Sequence, residues 1–265
     1  MSRLQKTFSA LHARNEKALI AYIMAGDPTL EETETYVRQL AEAGADVIEL
    51  GVPFSDPIAD GPVIQQAAER ALRSGTSLKK ILATVRSLRT KTQVPLVLMA
   101  YYNSIFHYGE AAFCRDAAAA GVDGLIVPDM PTDEAGTIHP LAEAAGLDVI
   151  FLLAPTSPSH RQSRVARLSR GFIYYVSLTG ITGAKLTDKV DVEKKVREIR
   201  RYTKTPVAVG FGIATPDDVR QVARIADGVI VGSALVKVIA EGGAASAAAR
   251  LSSFTRSLKA ATLPA

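Results

Sequence analysis

Short runs rich in apolar and β-branched residues recur eight times along this chain, with helix-patterned segments between them. The runs span 18–23, 46–51, 94–100, 124–127, 148–153, 172–177, 206–210 and 228–232. They read as continuous hydrophobic strands, the pattern of parallel strands buried on both faces. Helical spacing marks 30–43, 63–73 with 78–89, 111–120, 134–145, 159–168, 192–202, 216–225 and a long 234–260. Strict β-then-α alternation with short links requires a parallel sheet with right-handed crossovers. Eight such units favour an α/β fold of the (β/α)8 TIM-barrel type over an open doubly wound sheet. A further helical segment, 4–15, is expected to cap the bottom of the barrel.

Local signals agree. Thr215-Pro216-Asp217-Asp218 puts a capping hydroxyl before a proline and acids in the first turn. Gly44, Gly121 and Gly146 stand where helices should end. The 265 residues, 48% of them hydrophobic, suffice for one large core. A single domain over 1–265 is therefore expected, with no linker. No stretch reaches the roughly 18 apolar residues of a membrane span, and no signal-peptide core follows the first residues, so a cytoplasmic protein is expected. The single cysteine, Cys114, excludes an internal disulfide and a cysteine-based metal cluster. Net charge is +4, but the basic residues are scattered over helical stretches such as 161–170 and 194–204, without interleaved aromatics. Solvated helix faces account for them better than nucleic-acid binding.

In such a barrel the chemistry lies at the C-terminal strand ends. Glu49 ends the second run, and a loop dense in Pro, Gly and Asp follows it as far as Asp60. A carboxylate at a buried strand exit is expensive without work or a partner. Two acids at one exit suggest acid/base chemistry. The plainer alternatives are backbone amides satisfying Glu49, and Asp60 as N-cap of the next helix. Asp56, mid-loop, reads as a turn residue. Glycine-rich turns follow three adjacent runs: Gly180-Ile181-Thr182-Gly183, Gly210-Phe211-Gly212-Ile213 and Gly232-Ser233. Their amides, with a helix N-terminus, suit a phosphate. Of Tyr174 and Tyr175, only one can face the barrel interior. The histidines His12, His107, His139 and His160 show no ligand spacing, so no metal is expected. No strand run holds the lysine a Schiff-base aldolase would want. What remains suits cofactor-free proton transfer on a small phosphorylated substrate.

These motifs, in order, resemble the tryptophan synthase α subunit family. The resemblance rests on the 49–61 segment ELGVPFSDPIADG, the Ala25-Gly26-Asp27-Pro28 turn and the three glycine turns, and runs from about residue 8 to about 258. It implies an indole-3-glycerol-phosphate lyase that releases indole and glyceraldehyde 3-phosphate. It assigns general acid/base work to Glu49, the hold on the indole N–H to Asp60, and contact with that glutamate and the substrate to Tyr174. Phosphate binding falls to Gly183, Gly212, Ile213, Gly232 and Ser233. The indole slot falls to Tyr22, Met99, Ile126, Leu152, Thr182 and Phe211. Residues 179–191, with Gly180, Gly183, Thr187 and Asp188, would form a lid.

The resemblance also implies a partner, a pyridoxal-phosphate-dependent β subunit in an α2β2 heterotetramer. Indole would pass to it through a tunnel, with Pro53, Asp56 and Pro57 at the contact and no cofactor in this chain. Ala21, Met24, Met99 and Ile126 depart from the family's common pattern, which bears on pocket fit and leaves the carboxylates intact. Two other readings stay open: chiefly an allosteric partner of a β subunit, or another phosphate-binding barrel isomerase or lyase. The synthase that makes indole-glycerol phosphate is disfavoured by the missing strand-end lysine.

Overall fold

A computed structural model describes residues 1–176, 189–210 and 212–264. Among them the strands are β1 (Ala18–Met24), β2 (Val47–Gly51), β3 (Leu96–Met99), β4 (Gly124–Ile126), β5 (Asp148–Ile150), β6 (Leu152–Leu153), β7 (Ile173–Val176), β8 (Val207–Gly210) and β9 (Gly228–Val231). The helices are α1 (Arg3–Ala13), α2 (Leu30–Glu42), α3 (Pro62–Arg73), α4 (Leu78–Arg89), α5 (Tyr102–Tyr108), α6 (Glu110–Ala120), α7 (Ile138–Ala144), α8 (Ser159–Leu168), α9 (Lys189–Arg200), α10 (Pro216–Ala223), α11 (Ser233–Ala240) and α12 (Ala244–Ala260).

The sheet order is β5-β4-β3-β2-β1-β9-β8-β7-β6, and its ladders are parallel. β5 and β6 are two pieces of the fifth run, and they stand at opposite ends of that order. The sheet therefore rolls up into the expected barrel. The run splits at Phe151, whose amide donates to the Ser169 hydroxyl at 3.3 Å instead of to a strand. Around the split, Arg170 N–H donates to Val149 O at 2.9 Å and Tyr174 N–H to Phe151 O at 3.1 Å, which carries the seam.

Side chains alternate between two cores. Leu19, Ala21 and Ile23 face the helices, while Ala18, Ile20, Val47, Val97 and Phe172 fill the barrel. α1 closes the bottom as expected: its Leu4, Phe8 and Leu11 join the interior core, and Phe8 meets Phe172 at 5.8 Å between ring centres. Three aspartates latch this end. Asp46, Asp123 and Asp227 each accept a neighbouring strand's N–H, from Leu19, Leu96 and Val207, at 2.8–2.9 Å. Each also meets a cation, Lys259, Arg3 with Arg89, and Arg200 respectively.

Two helix expectations need correcting. The long 234–260 segment is two helices, because Gly242 and Gly243 fall between α11 and α12, and glycine pairs break helices at their weakest point. α5 was not expected at all. Its first amide, on Tyr102, is satisfied by Asp129 at 2.9 Å from a distant loop, and its N-cap residue supplies no side-chain bond. The Thr215 capping box at α10 forms as read, with Asp218. No helix among the described residues is long and apolar enough to cross a membrane.

Candidate active site

The upper interior layer of the barrel holds the site. In the β1–β2 register Tyr22 lies beside Glu49, and in β2–β3 Glu49 lies beside Val97. Glu49 is not the last residue of its strand; Leu50 and Gly51 follow it within β2. It is 1% exposed, and neither carboxyl oxygen finds a partner among the described residues. Satisfaction by backbone amides is thereby ruled out for those residues. A buried, unpaired carboxylate would be prohibitively costly, so the group takes a proton instead. Burial first, then the charge of Asp60, pushes its pKa up to about 8.

Asp60 lies half-buried just before α3. The N-cap of that helix is Gly61, with no side-chain cap bond, so the capping alternative fails. Burial raises the Asp60 pKa to about 6, while the nearby Tyr101 hydroxyl pulls the other way. At neutral pH one acid is therefore held protonated and its neighbour mostly charged, the separation that acid/base sites use.

Tyr174 is the inward tyrosine of β7. It packs in the interior core, whereas Tyr175 lies in the outer one. Burial, then the charges of Glu49 and Asp60, holds its phenol protonated well above the usual range. Both inward tyrosines lie over a glycine of the neighbouring strand. The Tyr174 hydroxyl is 2.6 Å from where a Cβ on Gly210 would stand, and the Tyr22 hydroxyl 2.1 Å from one on Gly51. Any side chain there would displace the ring. Gly210, read from sequence as part of a phosphate turn, is thus also the seat of Tyr174.

Met99, Ile126 and Leu152 come together on the barrel interior, and Tyr22 packs with Met24, Ile64 and Met99. Both groups are apolar, and Met99 belongs to each. Gly212 takes a left-handed φ of +73°, Ile213 is buried, and Gly232 is the N-cap of α11, opening onto Ser233. The first-turn amides of such a helix have no intrahelical acceptor and suit an anion. Thr182, Gly183, Phe211 and 179–188 of the expected lid, with Gly180, Thr187 and Asp188, lie outside the described residues. Lys189 to Asp191 open α9.

The loop between the two acids is pinned. Phe54 stacks on Tyr101 at 5.2 Å, and the Ala59 amide donates to the Tyr101 hydroxyl at 3.0 Å. Pro53 is buried, Pro57 half-buried and Asp56 exposed, and the Ser55 hydroxyl donates to the Asp56 carboxylate at 2.5 Å. Tyr101 was not singled out from the sequence, although it follows the third run directly, where strand-end residues are worth inspecting. Neither was the Asp27–Arg70 pair. There a 1%-exposed carboxylate receives two guanidinium N–H bonds at 2.7 and 2.8 Å, tying the turn after β1 to α3.

A family model described as tryptophan synthase alpha chain matches residues 8–263. The tryptophan synthase alpha chain of Geotalea daltonii is 52% identical over 260 residues, covering 98% of each chain. That of Geobacter sulfurreducens is 52% identical over 259 residues, again covering 98% of each. Among solved structures, tryptophan synthase subunit alpha from Legionella pneumophila superposes with a TM-score of 0.91 at 38% identity, over 99% of this chain and 98% of that one. A chain of Mycobacterium tuberculosis tryptophan synthase gives 0.92 at 40% identity, over 100% and 99%. With a barrel of this topology and an acid pair at its mouth, the chain belongs to the tryptophan synthase alpha chain family.

Proposed function

We propose that this chain carries out its family's lyase reaction, the cleavage of indole-3-glycerol phosphate to indole and glyceraldehyde 3-phosphate, with Glu49 and Asp60 in opposite protonation states. The observation that carries the assignment is Glu49, a buried acid without a partner and with a pKa raised to about 8. Held protonated, it can give its proton to indole C3. The ring nitrogen then carries positive charge, which the Asp60 carboxylate balances while accepting the N–H. Glu49, now ionised, takes the proton of the adjacent glycerol hydroxyl as the carbon–carbon bond breaks. The bonding pair returns to the ring, giving indole, and the hydroxyl carbon becomes the aldehyde. Tyr174 supplies a donor for Glu49 in its charged interval. Gly212, Ile213, Gly232 and Ser233, with Gly183, bind the phosphate, and Met99, Ile126 and Leu152 with Tyr22, Thr182 and Phe211 hold the flat ring.

In this reading the 53–60 loop meets a β subunit through Pro53, Asp56 and Pro57. Ile58, 84% exposed, adds apolar area to that contact, and pyridoxal phosphate belongs to the partner of an α2β2 assembly. Glu49→Gln tests the assignment. It should retain substrate affinity and lower turnover by roughly 10²-fold or more. A near-normal rate would remove Glu49 from the chemistry.

A further inference from the structure

We propose that Tyr101 is a positioning residue, whose hydroxyl fixes the end of the 53–60 loop and so sets the place of the Asp60 carboxylate. The proposal rests on the role given to Asp60 above. Packing does not hold this end of the loop. Ile58 and Ala59 are both exposed, and the stretch from Val52 to Gly61 lies outside every strand and helix. The place of Asp60 is therefore set by hydrogen bonds. Two are local: the Asp60 N–H donates to Pro57 O at 3.3 Å, and the Asp60 carbonyl accepts from the Gln65 side chain at 2.8 Å. A third reaches across to another strand exit, where the Ala59 N–H donates to the Tyr101 hydroxyl at 3.0 Å.

Tyr101 is itself a fixed point. It follows β3 by two residues and is 4% exposed. The Ala100 amide just before it donates to Ile126 O at 3.0 Å, and the Tyr102 amide just after it to Asp129 at 2.9 Å. Its ring stacks on Phe54 at 5.2 Å between centres, which grips the near side of the same loop. Burial first, then the charge of Asp60, keeps the phenol protonated. Its oxygen accepts from Ala59, so its single proton is left to donate. Asp60, the residue after Ala59, is the side chain to which Tyr101 is hydrogen-bonded. One hydroxyl thus holds both the main chain beside Asp60 and the carboxyl group. Glu49 of β2, Tyr22 of β1 and Tyr174 of β7 also face Asp60, and they sense it through its charge. A donor favours a charged carboxylate over a neutral one, so the Tyr101 bond keeps Asp60 in the form that accepts the indole N–H.

The test is Tyr101→Phe, which keeps the ring and its stack on Phe54, made in the native background and in Asp60→Asn. Indole release from indole-3-glycerol phosphate is followed as kcat and kcat/KM against pH, with thermal unfolding as a check on the fold. Freeing the loop end and the carboxylate should lower kcat roughly tenfold near neutrality, with little change in KM, because the phosphate and ring contacts stay. The acid limb of kcat/KM should move up by about one pH unit, since Asp60 loses a donor. In the Asp60→Asn background the same substitution should lower kcat by less than about threefold, because both changes break one interaction. An unshifted acid limb, or equal losses in both backgrounds, overturns the proposal and leaves Tyr101 a packing residue. If Asp60→Asn alone leaves the rate intact, the reading of Asp60 falls and the proposal with it. If Asp60→Asn slows the reaction while Tyr101→Phe changes nothing, only the role of Tyr101 is lost.

Discussion

Glu49→Gln should make the protein more stable while it disables the reaction, and the gain should depend on pH in a defined way. The folded-state pKa of Glu49 is about 8, against an ordinary 4.5. Below about pH 4.5 both folded and unfolded chains hold the proton, and the group contributes nothing to the pH dependence of stability. As pH rises the unfolded chain ionises and the folded chain does not. Stability then falls by about 1.4 kcal/mol per pH unit until the folded pKa is passed. The native glutamate therefore costs roughly 3 kcal/mol at about pH 7. Glutamine copies the protonated acid in shape and never ionises, so it escapes that cost. Urea unfolding of both proteins at about pH 5 and pH 7 measures the difference. The variant should be within about 1 kcal/mol of the native chain at the lower pH and roughly 3 kcal/mol more stable at the higher. That corresponds to a rise of several degrees in Tm for a domain of this size. A difference that stays constant with pH, or a less stable variant at neutrality, would mean that Glu49 is charged and partnered in the fold.

Gly51→Ala puts a Cβ 2.1 Å from the Tyr22 hydroxyl, so the ring must move by an ångström or more. Turnover should fall roughly 10²-fold with a stability loss of about 1–3 kcal/mol, and unchanged turnover would contradict the seating of Tyr22. Arg70→Ala strands the buried Asp27 carboxylate. With Arg70 itself one-third exposed, denaturation should show a loss near the lower end of the 3–5 kcal/mol typical of a broken buried pair. A loss below about 1 kcal/mol would mean that the pair does not hold the turn after β1 to α3.

The barrel was legible in the sequence because parallel strands covered on both sides leave an uninterrupted apolar signature, and because capping signals such as Thr215 and Asp218 act within a few residues. What failed to show depended on distant partners. The start of α5 is capped by Asp129, twenty-seven residues away. The break at Phe151 depends on the Ser169 side chain, eighteen residues on. The aspartate latches had a local trace, an Asp following Gly44-Ala45, Gly121-Val122 and Ile225-Ala226, but their meaning required knowing which strands are neighbours. In the site, Glu49 and Asp60 stood out because acids beside an apolar run are chemically conspicuous. Tyr22 entered only through the family resemblance, as a wall of the indole slot, and Tyr101 and Gly51 did not stand out, since an aromatic or glycine near a strand end looks like packing until the fold sets the Tyr22 hydroxyl over Gly51 and Tyr101 against the 53–60 loop.

The central claim is that Glu49 must hold a proton while Asp60 must not. The pH dependence of kcat/KM for indole release tests it most directly, because that profile reports the free enzyme's essential acid and base. The profile should be a bell. Its acid limb should fall near about 6, where Asp60 gains a proton, and its alkaline limb near about 8, where Glu49 loses one. Glu49→Gln should remove the alkaline limb from whatever rate remains. A profile flat from pH 5 to 9, or an alkaline limb that survives in Glu49→Gln, would contradict the account.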